Sequence, residues 1–392
     1  MNKMKLAEPE WLSLWRKTAL NKFNELDMPE LKYGLSTKVD LNDFSFEKFE
    51  RAEIPQQEIK ASKEAIVLDF DEALQKYPSL LKQKFMSLVS PETKFEAFHS
   101  AKWKNATVVI IPKNVALKKP IEIKKIFGKT NAENLLVFAY PNSSATIIET
   151  ITSEGENEKL NSKVVEIFAE DNSKINFLSL QNCDQKTVTF STRRAVASKN
   201  AAVNWLDCNL GSKVCISETT TVLEGDGSSS ENLGLFVGSG IQRFDLHSKS
   251  IHTGKNTTSN ILTRGVLDGS AKAVYKGVLC VGRDAGGASA YQKEDVILLS
   301  QDSESASIPE LRISNNDVKK CTHGATIGRI DEEKLFYIMS RGLPREEAER
   351  KIIEGFFSSI LRKTGYAVVA DEIKKILKDK MKDKMRKTEG GK

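Results

Sequence analysis

Between about Lys104 and Gly328 the chain alternates short β-branched or aromatic runs with small polar turns. Val108-Val109-Ile110-Ile111, Ala145-Thr146-Ile147-Ile148, Val164-Val165-Glu166-Ile167-Phe168, Lys174-Ile175-Asn176-Phe177-Leu178 and Val203-Asn204-Trp205-Leu206 read as strands. No long stripe at helical spacing interrupts them. The turns recur. Asn142-Ser143-Ser144, Asn172-Ser173-Lys174, Asn200-Ala201-Ala202, Gly227-Ser228-Ser229 and Asn256-Thr257-Thr258 begin at intervals of 30, 28, 27 and 29 residues. Asn and Gly suit such corners because both tolerate a positive φ. A period near 28, with strands about five residues long and no helix between them, predicts a coil of parallel β-rungs. One rung cannot bury its inner face alone, so stacking makes the core. A β-sandwich also suits regular short strands, but clean two-residue hairpin turns are missing.

Helical patterns flank this region. In residues 1–103, Glu8-Pro9-Glu10 opens a helix with proline and acids in its first turn. Trp11, Leu12, Trp15, Ala19, Leu20, Phe23 and Leu26 then form one apolar stripe, which predicts docking onto the rest of the fold. Met28-Pro29 ends it, Asp40 to Phe44 reads as an irregular connector, and a second helical run spans about Asp71 to Leu88. In residues 329–392, Asp331-Glu332-Glu333 places acids at the positive end of a helix dipole, and Gly342 can cap that helix. Pro344 opens a second helix through Ala348, Ile352, Ile353, Phe356, Phe357 and Ile360; Ile373, Ile376, Leu377 and Met381 suggest a third. Faces this apolar must cover something, either the end of the coil or a partner protein. The fold class is therefore mainly β: a parallel β-helix over residues 104–328 between two helical regions.

Composition adds little until the charge is located. The chain has 392 residues and a formal net charge of +6. From Lys374 to Lys392 nine Lys or Arg face three Asp or Glu, so the tail carries the excess and the body is near neutral. A solvated helix end explains such a run without a nucleic-acid or membrane partner, and neither is expected. No apolar run approaches the roughly 20 residues that span a bilayer, and Met1-Asn2-Lys3-Met4-Lys5 leads into a charged helix and not an apolar signal core. Five scattered cysteines form no Cys-x-x-Cys pair, which fits a reducing cytoplasm.

Candidate chemistry is sparse. There is no P-loop, and the glycine-rich stretch Gly282 to Gly287 lies among strands without a following helix. His99, His247, His252 and His323 are too dispersed for a self-contained metal cage, and His247 and His252, five apart, belong on opposite strand faces. Cys321 and His323 differ: at i and i+2 on a strand they share a face, and thiolate and imidazole are both competent iron ligands. Two ligands are half a site, so a second chain would have to complete it.

The stretch from Asp317 to Gly342 also carries a resemblance. Its His323-Gly324-Ala325-Thr326, Leu335-Phe336-Tyr337 and Ser340-Arg341-Gly342 resemble the signature of the SufB/SufD family, the scaffold proteins of the Suf iron–sulfur assembly system. Thr263 to Ala271, Gln292 to Ser300 and Pro309 to Ile313 are similar to the family's last rungs, with Asp295 and Arg312 as departures that put contacts at those points in question. Ile111 to Val115 and Pro120 to Ile123 resemble the start of its β region. Gly324 stands where the B-type pattern has Glu, and no Cys-Gly-Ala-His stretch occurs upstream, so the chain is most like the D type.

The resemblance implies a right-handed parallel β-helix and a non-catalytic scaffold for iron–sulfur cluster assembly. It implies a SufB-like partner, met through β-helix edges, and a SufC-like ABC ATPase docked on the C-terminal helices. Leu335, Phe336, Tyr337, Arg341, Phe356 and Phe357 are the expected docking residues. His323, with Cys321, is expected at a site shared with the partner, holding iron or a cluster transiently and binding no cofactor tightly alone. A homodimer in isolation and a bound flavin both stay open. A B-type scaffold carrying its own cluster is the near alternative. A carbohydrate-active β-helix enzyme is the remote one, and no ladder of acids on successive turns supports it.

Overall fold

Each turn of the coil consists of two long strands, not one short run. In a computed structural model, residues 8–33, 37–39, 41, 44–49, 52–363, 370–376 and 378 are described. Asp40, Asn42 and Asp43 of the expected connector, Leu377 and Met381 of the expected third helix, and most of the basic tail lie outside them.

The N-terminal part holds α1 (Glu10–Glu25), the small pair β1 (Lys32–Tyr33) and β2 (Thr37–Lys38), then β3 (Gln56–Lys60) and β4 (Ile66–Asp69). Helices α2 (Phe70–Lys76), α3 (Pro78–Lys84) and α4 (Lys94–Lys102) follow. The coil is built from β5 (Asn105–Ile111), β6 (Ile121–Phe127), β7 (Thr130–Ala139), β8 (Ser144–Ser153), β9 (Lys159–Ala169), β10 (Lys174–Asn182), β11 (Thr187–Ala197) and β12 (Ala202–Asn209). It continues through β13 (Val214–Leu223), β14 (Ser229–Gly238), β15 (Arg243–His252), β16 (Thr258–Leu267), β17 (Lys272–Val281), β18 (Ala288–Leu298), β19 (Glu304–Ile313) and β20 (Val318–Arg329). Helices α5 (Glu332–Met339) and α6 (Arg345–Lys363) follow, and residues 370–376 are again helical.

The strands alternate between two nine-stranded sheets, β3-β6-β8 and on to β20 in one, β4-β5-β7 and on to β19 in the other. Pairing is parallel from β5 and β6 onward, which makes a parallel β-solenoid of about 8 turns. The expected coil is thus what the chain adopts. Only the first strands differ: β3 and β4 pair antiparallel to β6 and β5, so the sheets begin inside the N-terminal region, at Gln56.

Local chemistry explains the repeat. Asn142, Asn172, Asn200 and Asn256 sit at φ +54° to +58° and Gly227 at +71°, the left-handed corners read from the sequence. The asparagines also stack: Asn142 Nδ2 donates to Asn114 Oδ1 (3.0 Å), Asn172 to Asn142 (3.1 Å) and Asn200 to Asn172 (3.2 Å). Inside, Ile123, Val137, Ile147, Val165, Ile167, Ile175, Phe177 and Trp205 fill the first turns. Beside them lies a dry charged quartet. Lys125 Nζ reaches Glu133 (2.8 Å) and Glu149 (3.3 Å), and Lys163 contacts the same two carboxylates. Burial raises the Glu133 carboxyl, but the two ammonium groups outweigh it and hold it down to about 2.

The strands are longer than their alternating patterns suggest because helices cover the outer faces as well. Trp11, Leu12 and Trp15 of α1 pack with Phe85, Trp103, Val108, Leu136 and Phe138 on one wall. On the other, Ile353, Phe357, Ile360 and Leu361 of α6 pack on Leu178, Leu206, Leu235 and Val266. Glu166 ties the loop after α3 to the first wall, accepting from the amides of Met86 and Leu88 (both 2.7 Å). So α6 lies along the side of the coil and does not plug its end.

The Thr263-Arg264-Gly265 stretch shows why its residues suit this place. Arg264 faces outward, its guanidinium 4.8 Å from the centre of the Phe356 ring. Gly265 faces inward, where a Cβ would meet the Phe236 ring at 2.0 Å. Gly265→Ala should therefore cost about 1–3 kcal/mol through overpacking. An unchanged denaturant midpoint would refute this account of the glycine.

Candidate functional site

β20 and β19 are the last strands of their sheets, and no described residue pairs with their outer edges. The end of the coil is open there. On β18 the residues Ala288, Ala290, Gln292, Glu294 and Val296 alternate inward and are buried. On β20, Cys321 stacks over Ala290, His323 over Gln292, Ala325 over Glu294 and Ile327 over Val296. Cys321 and His323 therefore share the inward-facing column, as their i and i+2 spacing predicts. With no further turn above them, inward positions become surface.

A β-bulge sets that phase. Val318 pairs with Ala288 and Lys320 with Ser289, so Lys319 is an extra residue on β20. Were Lys319 paired in regular register instead of bulged, Lys320 and Thr322 would face the interior and the thiol and imidazole would point away. Bulges re-aim side chains in this manner at sheet edges.

Cys321 is half-buried over Ala290 against the inner core, and burial raises its thiol pKa. His323 is exposed and makes no hydrogen bond or ion pair among the described residues. The other histidines are occupied. His99 bonds to Ser162 (2.9 Å) and Asn134 (3.2 Å), His252 to Thr257 (2.7 Å) and Ser259 (2.8 Å), and His247 to Asp245 (2.9 Å). Burial pushes His99 and His252 down to about 4. Cys183, Cys208 and Cys215 are buried, and their thiols are raised by desolvation. No group of three or more His, Cys, Asp or Glu able to hold a metal occurs among the described residues. A Cβ at Gly324 would meet nothing within 4 Å, so nothing among the described residues uses the room it leaves.

Sequence reasoning missed Glu294. It is 1 % exposed, and neither carboxylate oxygen accepts a well-formed hydrogen bond. Burial pushes its carboxyl up to about 8; the nearby Ser307 hydroxyl pulls the other way and Asp295 adds to the rise. A raised acid holds its proton more tightly folded than unfolded. Its stabilising contribution is thus complete below about 4.5 and is lost as the pH climbs to about 8. His99 and His252, neutral when folded, are still half-protonated in the unfolded chain at pH 6.5, so losing those last protons offsets only part of it. The metal-free chain should lose stability from pH 6.5 to 8, and Glu294→Gln should remove about 2 kcal/mol of that loss. Parallel stability profiles for the two proteins would refute this.

The C-terminal helices stand next to the open end. Asp331 caps α5, accepting from the amides of Glu333 (3.1 Å) and Lys334 (3.2 Å). Gly342 takes φ +91°, the expected capping conformation. The six expected docking residues separate. Leu335 and Phe357 are buried inside the chain, and Phe356 is half-buried against Arg264. Phe336 is 72 % exposed and Tyr337 57 %, and the exposed Arg341 stacks on the Tyr337 ring at 4.2 Å. Beside them a groove of about 550 Å³ runs between Ile297, Ile330, Tyr337, Ile338, Ile352 and Phe356. No helix among the described residues is long and apolar enough to cross a membrane.

Residues 123–356 match the model of the family described as SUF system FeS cluster assembly, SufBD core domain. The chain belongs to the SufBD family. An iron-sulfur cluster assembly SufBD family protein of Staphylococcus saprophyticus is 29% identical, over 95% of this chain and 90% of the relative. One from Staphylococcus haemolyticus is also 29% identical, over 97% and 91%. One from Staphylococcus aureus is 29% identical over 95% and 90%. The SufBD match spans both walls of the solenoid, the open end, α5 and most of α6. Of the two departures from the family pattern, Asp295 pairs with Lys293 (3.2 Å) and Arg264 (3.8 Å), and Arg312 pairs with Glu310 (2.5 Å).

Proposed function

We propose that this chain is a D-type, non-catalytic scaffold subunit of a cytoplasmic Suf complex that assembles and transfers iron–sulfur clusters. It pairs through β19 and β20 with a SufB-like chain, and docks a SufC-like ABC ATPase on the exposed face of α5 and the neighbouring groove. Iron or a nascent cluster is cargo, held briefly between the chains, with His323 as this chain's principal group and Cys321 beside it.

The observation that carries this reading is the uncovered last rung. Two sheet edges with unpaired backbone groups invite strand addition by another chain. The same rung turns an unoccupied imidazole and a half-buried thiol toward that chain. An imidazole nitrogen binds iron reversibly, and two groups need a partner to complete a coordination shell. His-Gly-Ala-Thr at 323–326 favours the D type over the B type.

Co-expression with candidate SufB-like and SufC-like chains tests it. All three should co-purify as one complex, and strand-breaking prolines in β20 should release the SufB-like chain alone. Recovery of this chain without either partner would refute the reading.

A further inference from the structure

The rung beneath the open end holds groups that the proposed function does not use. Glu294 and Gln292 face the interior of the coil from β18, each 1 % exposed. Neither Glu294 oxygen nor Gln292 Oε1 accepts a well-formed hydrogen bond, with only the Ser307 hydroxyl near the carboxylate, and the hydroxyls of Thr263 and Tyr275 lie just below. A dry carboxylate without a counter-charge costs several kcal/mol, so this one calls for a proton or a cation. No basic side chain among the described residues supplies it. The neighbouring Lys293 and Arg264 lie on the outward face, where both pair with Asp295.

Above Glu294 in the same column stands only the methyl of Ala325, and His323 is the next position along β20. Carboxylate and imidazole are diagonal neighbours on adjacent strands, roughly 7–8 Å apart at the backbone and within reach of two long side chains. Cys321 is one position farther away, over Ala290. We propose that Glu294 and His323 form this chain's own half-site for a divalent transition-metal ion, ferrous iron in the assembly reaction. One carboxylate oxygen and one imidazole nitrogen suit that ion, and the ion supplies the positive charge that Glu294 lacks. The inference rests on reading the open end as an iron site and adds a buried ligand to it.

The full chain, stripped of metal, is titrated with Co(II) and followed by its visible absorption and by thermal shift. One Co(II) should bind per chain. Glu294→Gln and His323→Ala should each weaken binding at least tenfold, while metal-free Glu294→Gln melts no lower than the parent. Glu294→Asp, with its carboxylate drawn back by one carbon, should fall between; it carries the comparison if the Gln variant proves unstable. Equal Co(II) affinity with and without the Glu294 carboxylate overturns the proposal, as does a parent chain that binds no Co(II). Partner pull-down from the same preparations separates two failures. A complex that assembles while Co(II) ignores Glu294 removes only this half-site. A complex that never forms removes the scaffold reading itself.

Discussion

His323→Ala should leave the melting temperature and complex assembly unchanged while cluster delivery to client enzymes falls to background. The stability half of this expectation follows from position. The ring is exposed and bonds to nothing among the described residues, and such surface substitutions usually stay within about 0.5 kcal/mol. A histidine that tied the strand to the following helix would instead cost about 1–3 kcal/mol by leaving a partner unpaired. The functional half follows from the proposed site. His323 stands in the inward column of the last rung, where no second histidine or acid on β20 can replace it. Delivery at the parent rate by the mutant complex would defeat the proposal. Cys321→Ser in the same assay isolates the thiol. If Cys321 only packs over Ala290 on the inner core, the serine variant should deliver normally.

Phe336→Ala combined with Tyr337→Ala should weaken capture of the ATPase by two to three orders of magnitude and leave the fold intact. Both rings are already largely in water, so truncating them opens no cavity. Exposed aromatics at a docking centre are each worth about 2 kcal/mol, and tenfold in affinity is about 1.4 kcal/mol. Arg341→Ala, which removes the cation stacked on Tyr337, should show a smaller loss. Leu335→Ala and Phe357→Ala are unsuitable probes. Both side chains are fully buried, and such truncations cost about 2–5 kcal/mol of stability. Deleting everything after Ile330 is worse, because it strips α6 from Leu206, Leu235 and Val266. Surface plasmon resonance with the double variant gives the decisive number; undiminished capture would place the ATPase elsewhere.

Much of the architecture was readable along the chain. The five turns at intervals of 27 to 30 residues are all left-handed corners. They were legible because a corner needs a residue that tolerates positive φ wherever it lies. The capped start of α5 at Asp331 and its stop before Gly342 were legible for the same reason: capping is settled within one turn of helix. Strand length was misjudged. Runs such as β9 look too polar to extend from Lys159 to Ala169, yet every residue in it is buried. Its inner Lys163 finds Glu133 and Glu149, and its outer Glu166 finds two backbone amides.

The candidate site divided along the same line. Cys321 and His323 could be paired by spacing alone, because side chains two apart on any strand share a face. Which face they share depended on the bulge that takes Lys319 out of register. That the face is exposed depended on β20 having no strand beyond it. Glu294 carried no local signal, since its isolation exists only relative to Thr263, Tyr275 and the last rung.

By itself, then, the sequence determined the period of the coil, the residues at its corners, the helical flanks and the Cys-x-His pair. All of these are short-range properties of backbone conformation and side-chain alternation. Only the tertiary structure decided that α6 lies along the wall, that β3 and β4 start the sheets antiparallel, and that one buried carboxylate lacks a counter-charge. Those outcomes depend on contacts between residues far apart in the chain, where packing and desolvation, not local preference, set the energy.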